Sequence, residues 1–259
     1  MLSFEKSKTS KPIAIITGGK HDKRIIYLDE NEKNKKKYGY IQELDDKLNS
    51  EIIIQDGIIF PLPELHTRST VFVSGPAGSG KSTFVAEYVK NYKLIFPKND
   101  VYLFSKVKND PAFDHIKKMI KIPVDEKLME DGVEAEDVKN SLCIFDDIDT
   151  LHDKKVQVFI DKVRDDLLEV GRHKNVYMLN TGHQLLNWKK TKIMLMESSG
   201  VTFFPKSGGA HAIKTFLSKY AGLDKAQIDK VFKINSRWVF INKQYPMYIV
   251  SEHKIYLIQ

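Results

Sequence analysis

Cysteine is almost missing from this sequence: Cys143 is the single one in 259 residues. One thiol excludes an intramolecular disulfide and any multi-cysteine zinc site. No apolar run approaches the ~20 residues that a transmembrane helix needs. The stretch from Met1 to Lys11 is polar and lysine-bearing, without the apolar segment of a secretory signal, so the expected setting is reducing and intracellular. Residues 106–140 contain no arginine, whereas a small-molecule kinase would carry several in its lid. The guanine-reading pattern Asn-Lys-x-Asp is absent too. Asn34-Lys35 and Asn242-Lys243 each lack the aspartate, which argues against a GTPase. There is no internal repeat and no low-complexity tract.

What is present describes a globular chain with a basic bias. Hydrophobic residues make up 42%, enough to exclude disorder, and the net charge of +7 suits a polyanionic partner without requiring one. The first 60 residues predict a small β-rich extension. Two strands, Pro12–Thr17 and Arg24–Leu28, flank a turn at Gly18-Gly19-Lys20. A charged run over Asp29–Lys37, carrying Lys33, Lys35, Lys36 and Lys37, leads to a short helix around Tyr38–Leu48. The β-branched stretch Glu51–Phe60 then breaks at Asp56-Gly57.

From Ser69 onward strands alternate with helices, the pattern of a largely parallel sheet flanked by helices. Strands are expected at Ser69–Ser74, Val101–Ser105, Leu142–Phe145, Val176–Leu179 and Val201–Phe204. Helices are expected at Lys81–Tyr92, Pro111–Lys121, Leu151–Gly171, Ala210–Tyr220 and Leu223–Phe232. Gly171 reads as a helix stop. Arg237–Asn242, Met247–Val250 and Ile255–Ile258 read as closing antiparallel strands. The division is an extension over 1–60 and an α/β domain of the P-loop NTPase (RecA/ASCE-like) kind over 61–259.

Gly75-Pro76-Ala77-Gly78-Ser79-Gly80-Lys81-Ser82 matches G-x-x-x-x-G-K-[ST] in full, between a strand and a helix. Glycines let successive backbone N–H groups turn toward one centre, and the helix N-terminus adds positive potential. Residues 75–83, ending on Thr83, form the expected ATP phosphate cradle. Lys81 reaches the β- and γ-phosphates, and the Ser82 hydroxyl ligates Mg²⁺. The apolar strand Ser141–Phe145 delivers Asp146 and Asp147, assigned respectively to Mg²⁺ and to the general base for the attacking water, with Asp149 as a fallback.

Asn180, Thr181 and Gln184, at the end of the strand from Val176, are candidates to contact the γ-phosphate; a capped turn is the plain alternative. Arg172, in Gly171-Arg172-His173, is a candidate arginine finger facing a neighbouring subunit, or equally a cation at a helix C-terminus. Arg237 is a second candidate.

Together, the spacing of the P-loop, of Phe145-Asp146-Asp147, and of Gly171-Arg172-His173 before Thr181-Gly182-His183-Gln184 resembles the FtsK–HerA superfamily. Within it, the chain resembles the A32-like genome-packaging ATPases of large DNA viruses and virophages. Asp110-Pro111, Phe203-Phe204-Pro205-Lys206 and Ser236-Arg237-Trp238 add to the likeness, which spans roughly residues 60–258. Asp147 stands where the wider superfamily has Glu.

The resemblance implies a ring of five or six subunits that drives double-stranded DNA into a preformed capsid at a portal vertex, in the host-cell cytoplasm (a viral factory) and the virion. It implies Lys81 and Ser82 as Walker A contacts, Asp146 and Asp147 as the Walker B pair, Gln184 as the sensor and Arg172 as the inter-subunit finger. Sequence-independent DNA grip would then account for the basic charge. Lys189, Lys190 and Lys192 beside Trp188 are the leading DNA-contact candidates, with a solvated helix face as the more frequent meaning of such a run. A P-loop assembly or switch ATPase that recruits partners, and a cellular HerA-like translocase, are the alternatives.

Overall fold

The computed structural model describes residues 1–29, 50–107, 110–114, 116 and 118–258. The run of lysines 33–37 and the helix expected at Tyr38–Leu48 lie outside the described residues.

Among the described residues ten strands form the main sheet. Six of them are parallel: β11 (Gly200–Phe203), β6 (Thr70–Ser74), β10 (Tyr177–Gly182), β9 (Ser141–Asp146), β7 (Asp100–Ser105) and β8 (Met119–Pro123), in that spatial order. Beyond β11 the sheet continues antiparallel through β12 (Val239–Asn242), β13 (Tyr248–Ser251), β14 (Lys254–Leu257) and β4 (Glu51–Ile53). A second, antiparallel sheet orders β1 (Leu2–Ser3), β3 (Ile25–Asp29), β2 (Ser10–Thr17) and β5 (Ile58–Pro61). The expected parallel α/β sheet with antiparallel strands at the termini is what the chain adopts. β4, although it precedes residue 61, belongs to the large sheet.

The period-two alternation of side chains decides what packs where. On one face, Val71, Val73, Leu142, Ile144, Tyr177 and Leu179 meet Phe84, Val85, Tyr88, Val89 and Tyr92 of α1 (Lys81–Ile95) and the inner side of the small sheet. On the other face, Phe72, Cys143, Phe145, Met178 and Val201 meet α3 (Lys154–Val170), α4 (Lys192–Glu197), α5 (Ala210–Lys219) and α6 (Lys225–Phe232). Cys143 is buried in the second layer, its thiol pushed up to about 12 by burial.

Three aromatic rings join distant parts of the chain on the α1 side. Trp238, just before β12, stacks on Phe60 of β5 at 5.2 Å and takes Phe84 of α1 edge-on at 5.0 Å.

One expectation is corrected and one helix is added. The described residues between 111 and 121 do not form a helix: turns over 111–114 precede β8. Ile120 and Ile122 are β-branched, and Pro123 disfavours helical geometry in the residue before it. Lys118 already sits at φ 64°, outside the helical region. A helix absent from the sequence reading, α2 (Glu126–Asp131), follows, with the Asp125 side chain accepting from Leu128 N–H. The long helix does stop at Gly171, as expected, though not through a left-handed turn. The φ of Gly171 is −58° and the chain continues as a 3₁₀ turn over Gly171–Lys174, with the left-handed residue at Asn175 (φ 55°). Gly171 is instead needed for space, because a Cβ there would lie 2.7 Å from the Arg68 guanidinium.

Candidate active site

All strands of the parallel block end at one edge, and the topology sorts which ends meet there. β10 lies between the P-loop strand β6 and the acid strand β9, in register with both. Its last residues are therefore inserted between Gly75 and Asp146, and Gly75 N–H donates to the carbonyl of Gly182 at 3.1 Å.

The loop has the shape its sequence requires. Gly78 and Gly80 adopt φ 74° and 103°, a region glycine enters without steric penalty. At Gly75 the constraint is space: a Cβ would sit 2.6 Å from Ser79 Oγ and 2.7 Å from Phe204 Cδ2. Ser79 Oγ and Ser74 Oγ are buried without hydrogen-bond partners. Orphaned hydroxyls beside a cradle that any Cβ would fill fit a phosphate group. Lys81, 7% exposed, donates to the carbonyls of Gly75 (2.9 Å) and Pro76 (3.4 Å), so the ammonium is held against the loop. Ser82 and Thr83 follow it in the first turn of α1.

Across from the loop, Asp146 ends β9 on the α1 face, 3% exposed. Burial, then the neighbouring Asp147 charge, push its carboxyl up to about 6; the Thr181 hydrogen bond opposes them. Thr181 Oγ1 donates to Asp146 Oδ1 at 2.9 Å and accepts from Asp147 N–H at 2.9 Å, so one hydroxyl fixes both acids. Asp147 turns the chain at φ 50°, a conformation aspartate tolerates better than most residues.

His183 completes the group. Its Nδ1 is 3.5 Å from Lys81 Nζ and its Nε2 is 3.4 Å from Asp147 Oδ1. The ammonium can only donate and the carboxylate can only accept, so the arrangement suits a neutral imidazole with its proton on Nε2. The imidazole thus spans the P-loop lysine and the second acid. His183 carried no assigned role in the sequence reading, although it stands within the polar strand end that supplied the sensor candidates.

Those candidates separate in space. Thr181 is at the acids. Asn180, one residue earlier, points to the opposite face; it is 1% exposed, and both its amide atoms lack partners. Gln184 is exposed and accepts from Asn187 at 3.0 Å. With Gly75, Pro76, His183 and Phe204 it lines a cavity of ≈ 280 Å³ against the loop.

Arg172 is exposed at the opposite end of β10. Six strand residues separate it from the P-loop edge, about 20 Å. Arg237 lies at the P-loop edge, its Nε 3.2 Å from Glu252 Oε1. Asp149 lies in the 3₁₀ turn Ile148–Thr150 that follows Asp147, and its Oδ1 is buried without a partner. Asp147, Asp149 and His183 together offer ligand atoms all within 4.8 Å of one another.

No protein-family model matches the chain. The uncharacterised protein V3 of the Sputnik virophage is 42% identical over 257 residues, covering 98% of both chains. Among solved structures, the genome packaging NTPase B204 from Sulfolobus turreted icosahedral virus 2, in complex with AMPPCP, superposes with a TM-score of 0.50. It is 13% identical and covers 72% of this chain and 99% of its own. At that identity the likeness is one of fold, and it agrees with the resemblance to packaging ATPases read from the motifs.

Proposed function

The chain belongs to the family of the Sputnik virophage protein V3 and shares the fold of a viral genome-packaging NTPase, and we propose that it is an ATP-hydrolysing motor that translocates double-stranded DNA, packaging a viral genome into a preformed capsid. The observation that carries this reading is β10 lying between the P-loop and acid strands. That position gathers Lys81, Asp146, Asp147, Thr181 and His183 into one constellation.

The proposed roles follow from that constellation. The loop from Gly75 to Thr83 holds the phosphates of ATP, and Lys81 exchanges its two loop carbonyls for β- and γ-phosphate oxygens. Ser82 and Asp146 hold Mg²⁺, and the buried carboxylate with its one fixed hydrogen bond leaves an oxygen for the ion or its water. When bound, the ion draws charge from the phosphate oxygens. Asp147 takes the proton of the attacking water. His183 and Thr181 hold Asp147 in place, and His183, touching Lys81, registers a γ-phosphate arriving between them. Gln184 stands at the wall of the adjoining cavity as the further polar contact.

Arg172, at the far edge of the sheet, acts on a neighbouring subunit's nucleotide and not on its own. A ring of five or six subunits meets that requirement, working at a capsid portal in the host-cell cytoplasm. Among the described residues no helix is long and apolar enough to cross a membrane.

The test is steady-state ATP turnover at low salt with and without long duplex DNA. A coupled translocase hydrolyses ATP several-fold faster with DNA. Turnover indifferent to duplex at every salt concentration would leave an assembly ATPase as the better account.

A further inference from the structure

The two tryptophans have opposite surroundings: Trp238 is 4% exposed and Trp188 is 74% exposed. Trp188 sits on the segment between β10 and α4, five residues after His183. That segment is held in shape by its own hydrogen bonds. Asn187 N–H donates to Thr191 Oγ1 at 2.8 Å, Thr191 Oγ1 donates to Asn187 O at 3.0 Å, and Asn187 Nδ2 donates to Gln184 Oε1 at 3.0 Å. A second tie runs to the acid strand, where Lys190 Nζ donates to the backbone carbonyl of Asp149 at 2.9 Å. The segment therefore touches the nucleotide site at both acids' exit turn and at His183.

Its outer side faces a groove of ≈ 610 Å³ lined chiefly by Leu186, Trp188, Lys192, Thr215, Lys219 and Tyr220. Lys192 Nζ lies 5.1 Å from the Trp188 ring centroid. Lys192 and Lys219 line the groove, Lys189 adjoins the indole in sequence, Lys190 is engaged at Asp149, and no carboxylate lines the groove. An apolar floor with a purely cationic rim excludes a basic partner. It is complementary to a polyanion whose charged backbone also offers apolar sugar surface, which is the chemistry of a nucleic acid backbone.

We infer that this groove grips duplex DNA, with Lys189, Lys192 and Lys219 on phosphates and the Trp188 indole on sugars and base edges. This inference rests on the DNA-translocase reading and adds where the DNA is held. Because the segment is pinned at Asp149 and at Gln184, a change at Asp147 or His183 on hydrolysis is passed to the gripping surface within a few residues.

Trp188 reports on its own site, since the other indole is buried. With the full chain, binding of a dye-labelled long duplex is followed by anisotropy across a salt series, while tryptophan emission is recorded on unlabelled duplex and on poly-glutamate at matched charge. The expected result is quenching by duplex that disappears in Trp188→Phe. Trp188→Ala lowers duplex affinity while leaving the slope of log K against log salt unchanged, because the indole makes no phosphate contact. The double variant Lys189→Ala/Lys192→Ala flattens the slope of log K against log salt by about 1.8, two phosphate contacts. Unfolding midpoints equal to the parent's verify that these surface variants are folded.

Duplex binding by anisotropy with unmoved emission and an unchanged slope would overturn the groove assignment and leave the translocase reading standing. No duplex binding at any salt concentration would overturn both. Equal quenching by poly-glutamate would make the occupant an acidic protein and overturn the nucleic-acid assignment.

Discussion

Asp146→Asn should make the ligand-free protein more stable while removing its turnover, and the size of the effect can be worked from the burial of one carboxyl. The side chain is 3% exposed and its carboxyl is raised from 3.8 to about 6, by burial first and by Asp147 second. A shift of a little over two units at ~1.4 kcal/mol each is about 3 kcal/mol. Between those two values the folded chain holds a proton that the unfolded chain has lost, so stability falls as pH rises through the window. The penalty is absent below 3.8 and complete above 6. Asparagine carries no charge, so it avoids the penalty, and its carbonyl can still accept from Thr181. The stability gap between variant and parent should be small near pH 4 and open to roughly 2–3 kcal/mol at pH 7, less whatever its new amide N–H loses by burial. For a chain of this size that is a rise in Tm of roughly 5–10 °C. The assay is thermal unfolding from pH 4 to 8 without nucleotide or divalent cation, beside ATP turnover. A gap independent of pH, or a variant less stable than the parent at pH 7, would refute the argument from burial.

Two other outcomes are expected. Arg68 donates to the carbonyls of Leu167, Leu168 and Val176, closing the end of α3 against β10, and burial lowers the pKa of its guanidinium. Arg68→Ala removes that donor from all three carbonyls, of which Leu167 O keeps the Gly171 N–H, and should cost about 2–4 kcal/mol, read by urea unfolding. Arg172→Ala should abolish turnover yet bind ATP normally. Mixed with Lys81→Ala subunits, which keep their arginine, it should regain part of its activity, and failure at every mixing ratio would exclude a finger acting across subunits.

The nucleotide end of this molecule was the most legible part of its sequence. A glycine-lysine-serine loop between a β-branched strand and a helix admits few other structures, and the apolar run before Asp146 could only be a strand ending in acid. What the sequence could not supply was parity. Asn180 and Thr181 are adjacent and both polar, and only the register of β10 against β9 decides that Thr181 meets Asp146 while Asn180 turns to the opposite face. His183 was overlooked for a related reason. Its role depends on being between Lys81 and Asp147, which are 102 and 36 positions away along the chain. At residues 118–123 the β-branched pair Ile120 and Ile122 before Pro123 marks an edge strand, whose pairing with β7 gives no signal of its own in sequence.

The aromatic contact among Phe60, Phe84 and Trp238 bears on how the chain can be cut and handled. Phe60 comes from the leading segment, Phe84 from the helix that opens at the phosphate loop, and Trp238 from the closing strands. A fragment beginning at residue 61 would keep every motif of the nucleotide site and still strip a ring from the back of the very helix that presents Lys81. Such a fragment should be judged as a damaged fold and not as a minimal enzyme. The leading segment, silent in motif terms, is thereby a fixed part of the scaffold behind the phosphate loop.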